Sequence, residues 1–524
     1  MSRTGTLRLA RYAARRDRLL IGAWTVGLVG VCYASAAATG SLYRTPADQV
    51  SAAASINASP AVVALYGPIL DVHSLGELAM TKMTVLYALF VAMMMVVLVR
   101  RHTRVEEENG LTELVGATGV GSEAPLLAAV LEAGLAGLGV GVLAGLVDIA
   151  GGLPVGGSLL FGASWAGIGW VAVGLAAVAC QVSASARTCA AVAAGLLGSC
   201  YVVRAVGDTS AGWLSWLSPF GWSTRLRAWS DPRPWVLLLD VALGALLVLV
   251  ALALRARRDL GSGLVAARPG PTRGSAALGG IVPLTLRLHR GGLLLWAVAA
   301  AVLAGTLGAI APNVGDLLKS GNARTLMERL GGVGAVQDTL LAAELSVAAL
   351  VITCWGITVV GHAAADETAG RTEQVLATGA SRAALFRAVA VTAFGGAALL
   401  LAVTGVALLA GYGLVARRTS LELVPAALAQ IPAVWTVVAL ALLLWSWRTR
   451  WAVGGWIVFG VLLTLGQVGE LLGLPRSVLG LSPYSHVPAM PVERFDPGSF
   501  AALLAVAAAI TAVAWARYRT RDLG

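Results

Sequence analysis

Carboxylates in a repeated pattern are the residues of this chain best suited to chemistry at a surface. Residues 101–119 read RHTRVEEENGLTELVGATG, and residues 361–379 read GHAAADETAGRTEQVLATG. Glu106, Glu107, Gly110 and Glu113 recur as Asp366, Glu367, Gly370 and Glu373 at a constant offset (366 − 106 = 260). His102 and His362 precede them, and Ala-Thr-Gly closes both copies. Acidic groups on a short polar segment can pair with basic groups of a docking partner, or with nearby arginines that brace the segment. The spacing i, i+4, i+7 puts Glu106, Gly110 and Glu113 on one helical stripe. Alternatively, Gly110 ends one helix and a short second helix begins near Thr112. A lone charge run is usually a solvated helix end. Recurrence in both halves, while the apolar sequence around has drifted, favours a docking element.

Other polar groups fall inside apolar stretches. Glu132, Asp240, Arg204, Tyr201, Gln467 and Glu470 are candidates for a polar substrate path, because ionisable residues within spans usually face a cavity or a partner. Their ordinary reading is a buried pair or snorkelling to the interface. Glu132 has Thr392 at the matching place, so any role it has is asymmetric. Met93 and Met94 suit an adaptable apolar surface, or plain packing. The five cysteines show neither metal nor disulfide spacing and read as packing residues. Gly116–Gly121 (GATGVG) is glycine-rich, but no lysine follows it as a phosphate loop requires. The chain is therefore expected to hold no cofactor and not to be an enzyme by itself.

The elements that must position these groups are membrane spans. Hydrophobic residues make up 58% of the chain, charged residues 12%, and mean hydropathy is +0.80. Soluble domains carry about 25% charged residues. The net charge of +11 is nearly all arginine beside apolar stretches, which argues for a bilayer and against nucleic acid. Stretches of about 20 apolar residues lie near 19–38, 79–99, 124–147, 158–182, 188–206 and 234–254. A second set lies near 292–312, 343–361, 385–412, 424–447, 452–472 and 499–516. Residues 1–261 and 284–524 then form two six-span halves joined by a Gly/Pro/Arg linker at 262–283. The expected fold is an all-α polytopic membrane protein of about twelve transmembrane helices. Its two halves should be parallel repeats with pseudo-two-fold symmetry, because each holds an even number of spans.

Further landmarks recur: Trp24 with Trp296, Leu217–Phe220 (LSPF) with Leu481–Tyr484 (LSPY), and Arg-Asp-Leu-Gly at 258–261 and 521–524. Arginines flank the spans mostly on one side, which places both termini and both motifs in the cytoplasm. Arg225, Arg227, Arg233, Arg417 and Arg418 fall on the other side. Trp213, Trp216, Trp222, Trp229 and Trp235 crowd the outer segment 207–235, where Pro219 and Gly221 predict broken helices.

The pattern E-E-x-x-G-x-x-E-L-x-x-A-T between second and third spans resembles the cytoplasmic loop of ABC-2 type permeases. With YGP at Tyr66–Pro68 and LSP[FY] in both halves, the whole chain resembles fused, two-half actinobacterial exporters of polyketide antibiotics, the tetronasin-resistance type. The resemblance implies a coupling helix in each loop, seated on a separate ATP-binding subunit present in two copies. ATP and magnesium would sit on that partner. It also implies a bacterial plasma-membrane location, and drug efflux of hydrophobic or amphipathic compounds. The rival is a proton-coupled secondary transporter, which also has parallel repeats. The loop RHTRVEEENGL lacks the Gly-x-x-x-Asp-Arg motif typical of the major facilitator group, while Glu132 and Asp240 keep that rival open. A membrane enzyme is a weaker reading, since the outer loops show no clear acidic or histidine pair.

Overall fold

The computed structural model describes residues 4–43, 45–58, 60–210, 212–265, 274–275, 278–313, 333–416, 421–468 and 475–522. Every regular element among them is helical. Among the described residues, eleven helices are long and apolar enough to cross a membrane. The expected span at 452–472 is represented by the shorter helix Gly454–Val468, and residues 469–474 lie outside the described residues. The chain divides into two compact units, residues 1–270 and 271–524.

The first unit opens with α1 (Thr6–Leu42), a helix of 37 residues. At 1.5 Å per residue it is about 55 Å long, well beyond the ~30 Å hydrocarbon core. The surplus first turns carry Arg8, Arg11, Arg15 and Arg16. Two short helices, α2 (Pro46–Asn57) and α3 (Pro60–Tyr66), fill the long first loop. The second span is assembled from α4 (Leu75–Lys82), a π-turn at Met83–Tyr87, and α5 (Ala88–Arg101). A π-turn leaves a carbonyl out of the regular ladder. Here the buried Trp165 donates its Nε1–H to Met83 O at 2.9 Å. Two short helices follow, α6 (Arg104–Glu108) and α7 (Leu111–Gly116). The remaining spans are α8 (Ala124–Ala150), α9 (Val155–Val182), α10 (Ala186–Thr209) and, after α11 (Pro219–Arg225), α12 (Leu237–Arg255).

Helices α8 and α9 touch backbone to backbone. A Cβ on Gly141 would lie 2.3 Å from Gly162 O, and one on Gly162 would lie 2.3 Å from Gly141 O. Small residues that permit such approach are a main source of helix association in lipid, where the hydrophobic effect no longer drives it. The buried apolar core around this crossing includes Met80, Met94, Met95, Phe161 and Trp165.

The second unit repeats the plan with continuous helices where the first has breaks. It comprises α13 (Ile281–Ile310), α14 (Val333–Thr368), α15 (Arg371–Leu376), α16 (Arg382–Ala416), α17 (Leu423–Leu428), α18 (Ile431–Trp447), α19 (Gly454–Val468), α20 (Arg476–Leu479) and α21 (Pro497–Thr520). Its close crossing lies between α13 and α16, where a Cβ on Gly411 would collide with Gly305 O. Trp355, Phe386, Trp445 and Tyr518 dominate its core. One device is common to both units: the serine of each LSP sequence donates to a carbonyl of the preceding span, Ser218 to Cys200 O (2.7 Å) and Ser482 to Leu462 O (3.3 Å).

Candidate functional site

In each unit the repeated segment is a short helix hung on a glycine. Gly110 has φ +71° and Gly370 has φ +70°, a left-handed conformation that costs other residues ~1–2 kcal/mol. The glycine therefore ends α6 in the first unit and α14 in the second, and the next helix starts at Leu111 or Arg371. Of the two sequence readings, the break at Gly110 is the one the chain adopts. Thr112 and Thr372 turn inward and are buried. Glu113 and Glu373 face outward, beside the exposed Leu114 and Gln374.

The neighbouring carboxylates divide. Glu107 is buried and gathers three arginines: Arg104 Nη1 at 2.7 Å, Arg255 Nη1 at 3.2 Å and Arg258 Nη2 at 2.8 Å. Arg104 also donates to Cys180 O, the closing turn of α9, and Arg258 donates to Gln181 Oε1 at 2.8 Å. Glu367 does the corresponding work with other residues. It accepts from Arg521 Nη2, from Tyr518 Oη at 2.7 Å and from Thr449 Oγ1 at 2.7 Å. Arg521 also donates to Trp445 O, the closing turn of α18. Each unit thus has a buried clasp joining the repeated segment to the fourth span and to the chain just beyond the sixth. Arg258 and Arg521 are the arginines of the repeated Arg-Asp-Leu-Gly. That repeat is the signal the sequence offers for these two clasp residues.

Glu106 and Asp366 are partly exposed and make lighter contacts. Glu106 Oε1 lies 3.1 Å from Arg16 Nη1 and 3.1 Å from His102 Nδ1. Asp366 pairs with Arg371 at 2.7 Å, with both side chains substantially exposed. Glu108 accepts from Ala186 N at 2.6 Å and so fixes the start of α10. Below the first loop, His102 meets the buried carboxylates Asp17 and Glu132. At the same place in the second unit, the His289 and His362 rings lie 5.5 Å apart, and Thr392 hydrogen-bonds its own helix at Ala388 O.

The candidate path residues of the first unit sit on α5, α8, α10 and α12. Tyr201 donates to Leu65 O, and Arg204 donates to Val63 O (3.3 Å) and Ala64 O (2.8 Å) while pairing with Asp208 at 3.3 Å. Both side chains therefore cap the closing carbonyls of α3. Met94 is fully buried and Met93 half-buried against the same core. Asp240 is buried on α12, where a Cβ on Gly167 would meet its side chain at 3.0 Å. Gln467 falls near the end of α19, and Glu470 lies outside the described residues, as do Arg417 and Arg418. The expected helix breaks around Pro219 are present, with a 3₁₀ turn at Leu214–Leu217 before α11 and Trp216 stacked on Trp235 at 5.7 Å.

Two comparisons bear on these arrangements. Residues 278–519 match the family model described as the multidrug efflux system permease Rv1217c, C-terminal domain. Over 525 aligned positions the chain is 35% identical to the multidrug efflux system permease protein Rv1217c of Mycobacterium tuberculosis, covering 99% of this chain and 95% of the relative.

Proposed function

The chain belongs to the Rv1217c family of multidrug efflux system permeases, and from that membership we propose that it is the multi-pass permease of an exporter of hydrophobic or amphipathic compounds. Energy is supplied by ATP and magnesium on two copies of a separate ATP-binding subunit. The two repeated segments are the docking elements, one per subunit, and both face the cytoplasm together with the termini. The observation that supports this reading most is the doubled loop itself. Each copy presents a short exposed helix bearing Glu113 or Glu373, while its neighbour Glu107 or Glu367 is buried in a clasp that ties the loop to two spans. A moving subunit in water can shift a span only through an element rigidly joined to it, and the clasp supplies that joint. Gly110 and Gly370 supply the turn that directs the short helix outward.

The roles divide accordingly. Glu106, Asp366, Glu113 and Glu373 offer charge to a basic partner surface; Glu107 and Glu367 hold the loop in register. Exposed pairs are worth about 0–1 kcal/mol each, so single changes at the exposed positions should be mild. The test is co-purification of the ATP-binding subunit and substrate-stimulated hydrolysis for Glu106→Ala with Glu113→Ala, and for Asp366→Ala with Glu373→Ala. Reduced capture or uncoupled hydrolysis supports docking. Wild-type values in both double variants reduce these carboxylates to solvated helix ends. Drug accumulation equal in cells with and without the complex overturns export. Export that persists without the ATP-binding subunit and collapses with the proton gradient favours the proton-coupled reading instead, for which the buried Glu132, Asp148 and Asp240 would be the carriers.

A further inference from the structure

Beneath the first loop, three elements bring unlike ligand atoms together. Asp17 comes from α1, His102 from the turn after α5, and Glu132 from α8, and all three are buried. His102 Nε2 lies 2.9 Å from Asp17 Oδ2 and 3.5 Å from Glu132 Oε2. Neither oxygen of Glu132 has a hydrogen-bond partner, although the residue is only 4% exposed. Burying an ionised carboxylate with nothing to bond costs several kcal/mol, so this side chain requires an explanation.

The surrounding charges narrow it. Arg101 Nε stands 2.9 Å from Asp17 Oδ1, and Arg16 Nη1 stands 3.1 Å from Glu106 Oε1. Three carboxylates (Asp17, Glu106, Glu132) therefore face two guanidiniums, leaving one negative charge over when His102 is neutral. A proton on Glu132 or on His102 balances the count, the second making His102 a double donor. Its two N–H groups are then spent on Asp17 and on Glu106, whose Oε1 is 3.1 Å from Nδ1. That leaves Glu132 with no donor. A divalent cation uses all three ligands at once.

We propose that Asp17, His102 and Glu132 bind a zinc ion. Imidazole nitrogen and carboxylate oxygen are ordinary zinc ligands at ~2.0–2.2 Å, which sets edges of roughly 3.3–3.5 Å between ligand atoms in a tetrahedron. The observed 2.9 and 3.5 Å separations bracket that edge. His102 uses Nε2 for the metal, and Nδ1–H is directed to Glu106, the second carboxylate that commonly orients a zinc-bound imidazole. The ion would pin the first three spans of the first unit to each other beside its loop. The second unit carries His289, His362 and Thr392 in the corresponding positions and has no such carboxylates. The inference does not depend on the docking role proposed above.

The experiment is a metal measurement on the full chain, purified in detergent through a tag without histidines. The expected result is about one zinc per chain after gel filtration. After chelation, zinc should rebind in competition with a chromophoric chelator. Glu132→Gln and Asp17→Asn should each weaken binding by at least ~10-fold, and Glu106→Gln by ~10–100-fold. Added zinc should raise the unfolding temperature of the wild-type chain and leave that of Glu132→Gln unchanged. Wild-type chain that holds no zinc and binds it no more tightly than Glu132→Gln overturns the proposal in favour of a protonated histidine clasp. Equal zinc on wild type, Glu132→Gln and Asp17→Asn overturns it too, by assigning the metal elsewhere.

Discussion

The two units carry the same loop but secure it by different chemistry. In the first, Glu107 sits among three arginines from two elements and the loop is underlain by Asp17, His102 and Glu132. In the second, Glu367 meets one arginine, a phenol and a hydroxyl, and the residues beneath the loop are two neighbouring histidines, their rings tilted to each other, and a threonine. Neutral donors cost far less to bury than ions. The first loop is therefore held by several mutually dependent charges, and the second by one ion pair with two neutral donors beside it. What the two keep in common is geometric: the left-handed glycine, the buried threonine two residues after it, and the carboxylate turned toward the arginine just beyond that unit's sixth span.

The largest test of this contrast is Glu107→Ala against Glu367→Ala. Removing one partner of a buried charge cluster costs about 3–5 kcal/mol. Glu107→Ala strands three arginines and should lie at the top of that range, while Glu367→Ala strands one and should cost clearly less. Thermal unfolding of each variant in detergent measures the gap, and equal losses would show the clasps to be equivalent. Next come the helix crossings. Gly141→Ala in the first unit and Gly411→Ala in the second should each cost about 1–3 kcal/mol through forced separation of backbones. Gly139→Ala and Gly395→Ala, where an added Cβ meets nothing within 4 Å, should be neutral or slightly stabilising. A harmless Gly411→Ala would mean that only the first unit depends on its crossing.

A smaller and symmetric effect is expected at the loop glycines. An added Cβ meets nothing within 4 Å at either Gly110 or Gly370, so the alanine penalty is purely conformational, ~1–2 kcal/mol at both. Asparagine should recover part of it, since it tolerates this conformation best after glycine. Unequal losses, read by unfolding or by protease cleavage of the loop, would break the equivalence of the two turns. The smallest effect concerns the last helix of each unit. Asp496 caps α21 by accepting from Gly498 N and Ser499 N, whereas the stretch opening α12 has no side-chain cap. Hydrogen bonds from Ser499 and these amides hold the Asp496 carboxyl below its ordinary range. Its contribution is present above the usual aspartate range and is lost as pH falls through the depressed value. Protection of the Gly498 and Ser499 amides, taken relative to their intrinsic exchange rate at each pH, should therefore fall at low pH or in Asp496→Ala, with no matching change at the start of α12.

Much of the architecture was legible because membrane spans announce themselves by length and hydropathy, and because duplication let each half check the other. The loop break was legible through Gly110 and Gly370, the one residue type that fits the turn. The inward turn of Glu107 was not. Glu106, Glu107 and Glu108 are identical in kind, and a one-residue step along a helix changes facing by about 100°. Only the distant arginines distinguish them, and nothing local encodes a contact 151 residues away. Asp17 was hidden in the same way, as one acid within a basic run. The hydrogen bonds of Arg204 and Tyr201 to carbonyls of α3 had no signal in the sequence either, because those partners lie about 140 residues away. The π-turn at Met83–Tyr87 has no sequence signature, and its stabiliser, Trp165, lies two spans later.

The clasps also impose an order of manufacture. Glu107 leaves the ribosome about 150 residues before Arg258, and Glu367 precedes Arg521 by 154. During synthesis Glu107 can pair only with Arg104 until the sixth span of its half has emerged, and Glu367 can meet Thr449 but not its arginine until the chain beyond its own sixth span follows. Neither the Glu107–Arg258 pair nor the Glu367–Arg521 pair can form before the sixth span of its half has been made. A nascent chain halted before Arg258 should keep its first loop open to protease, and one released just beyond it should not. Loss of Arg521 through Gly524 would leave the second half fully inserted but unlatched.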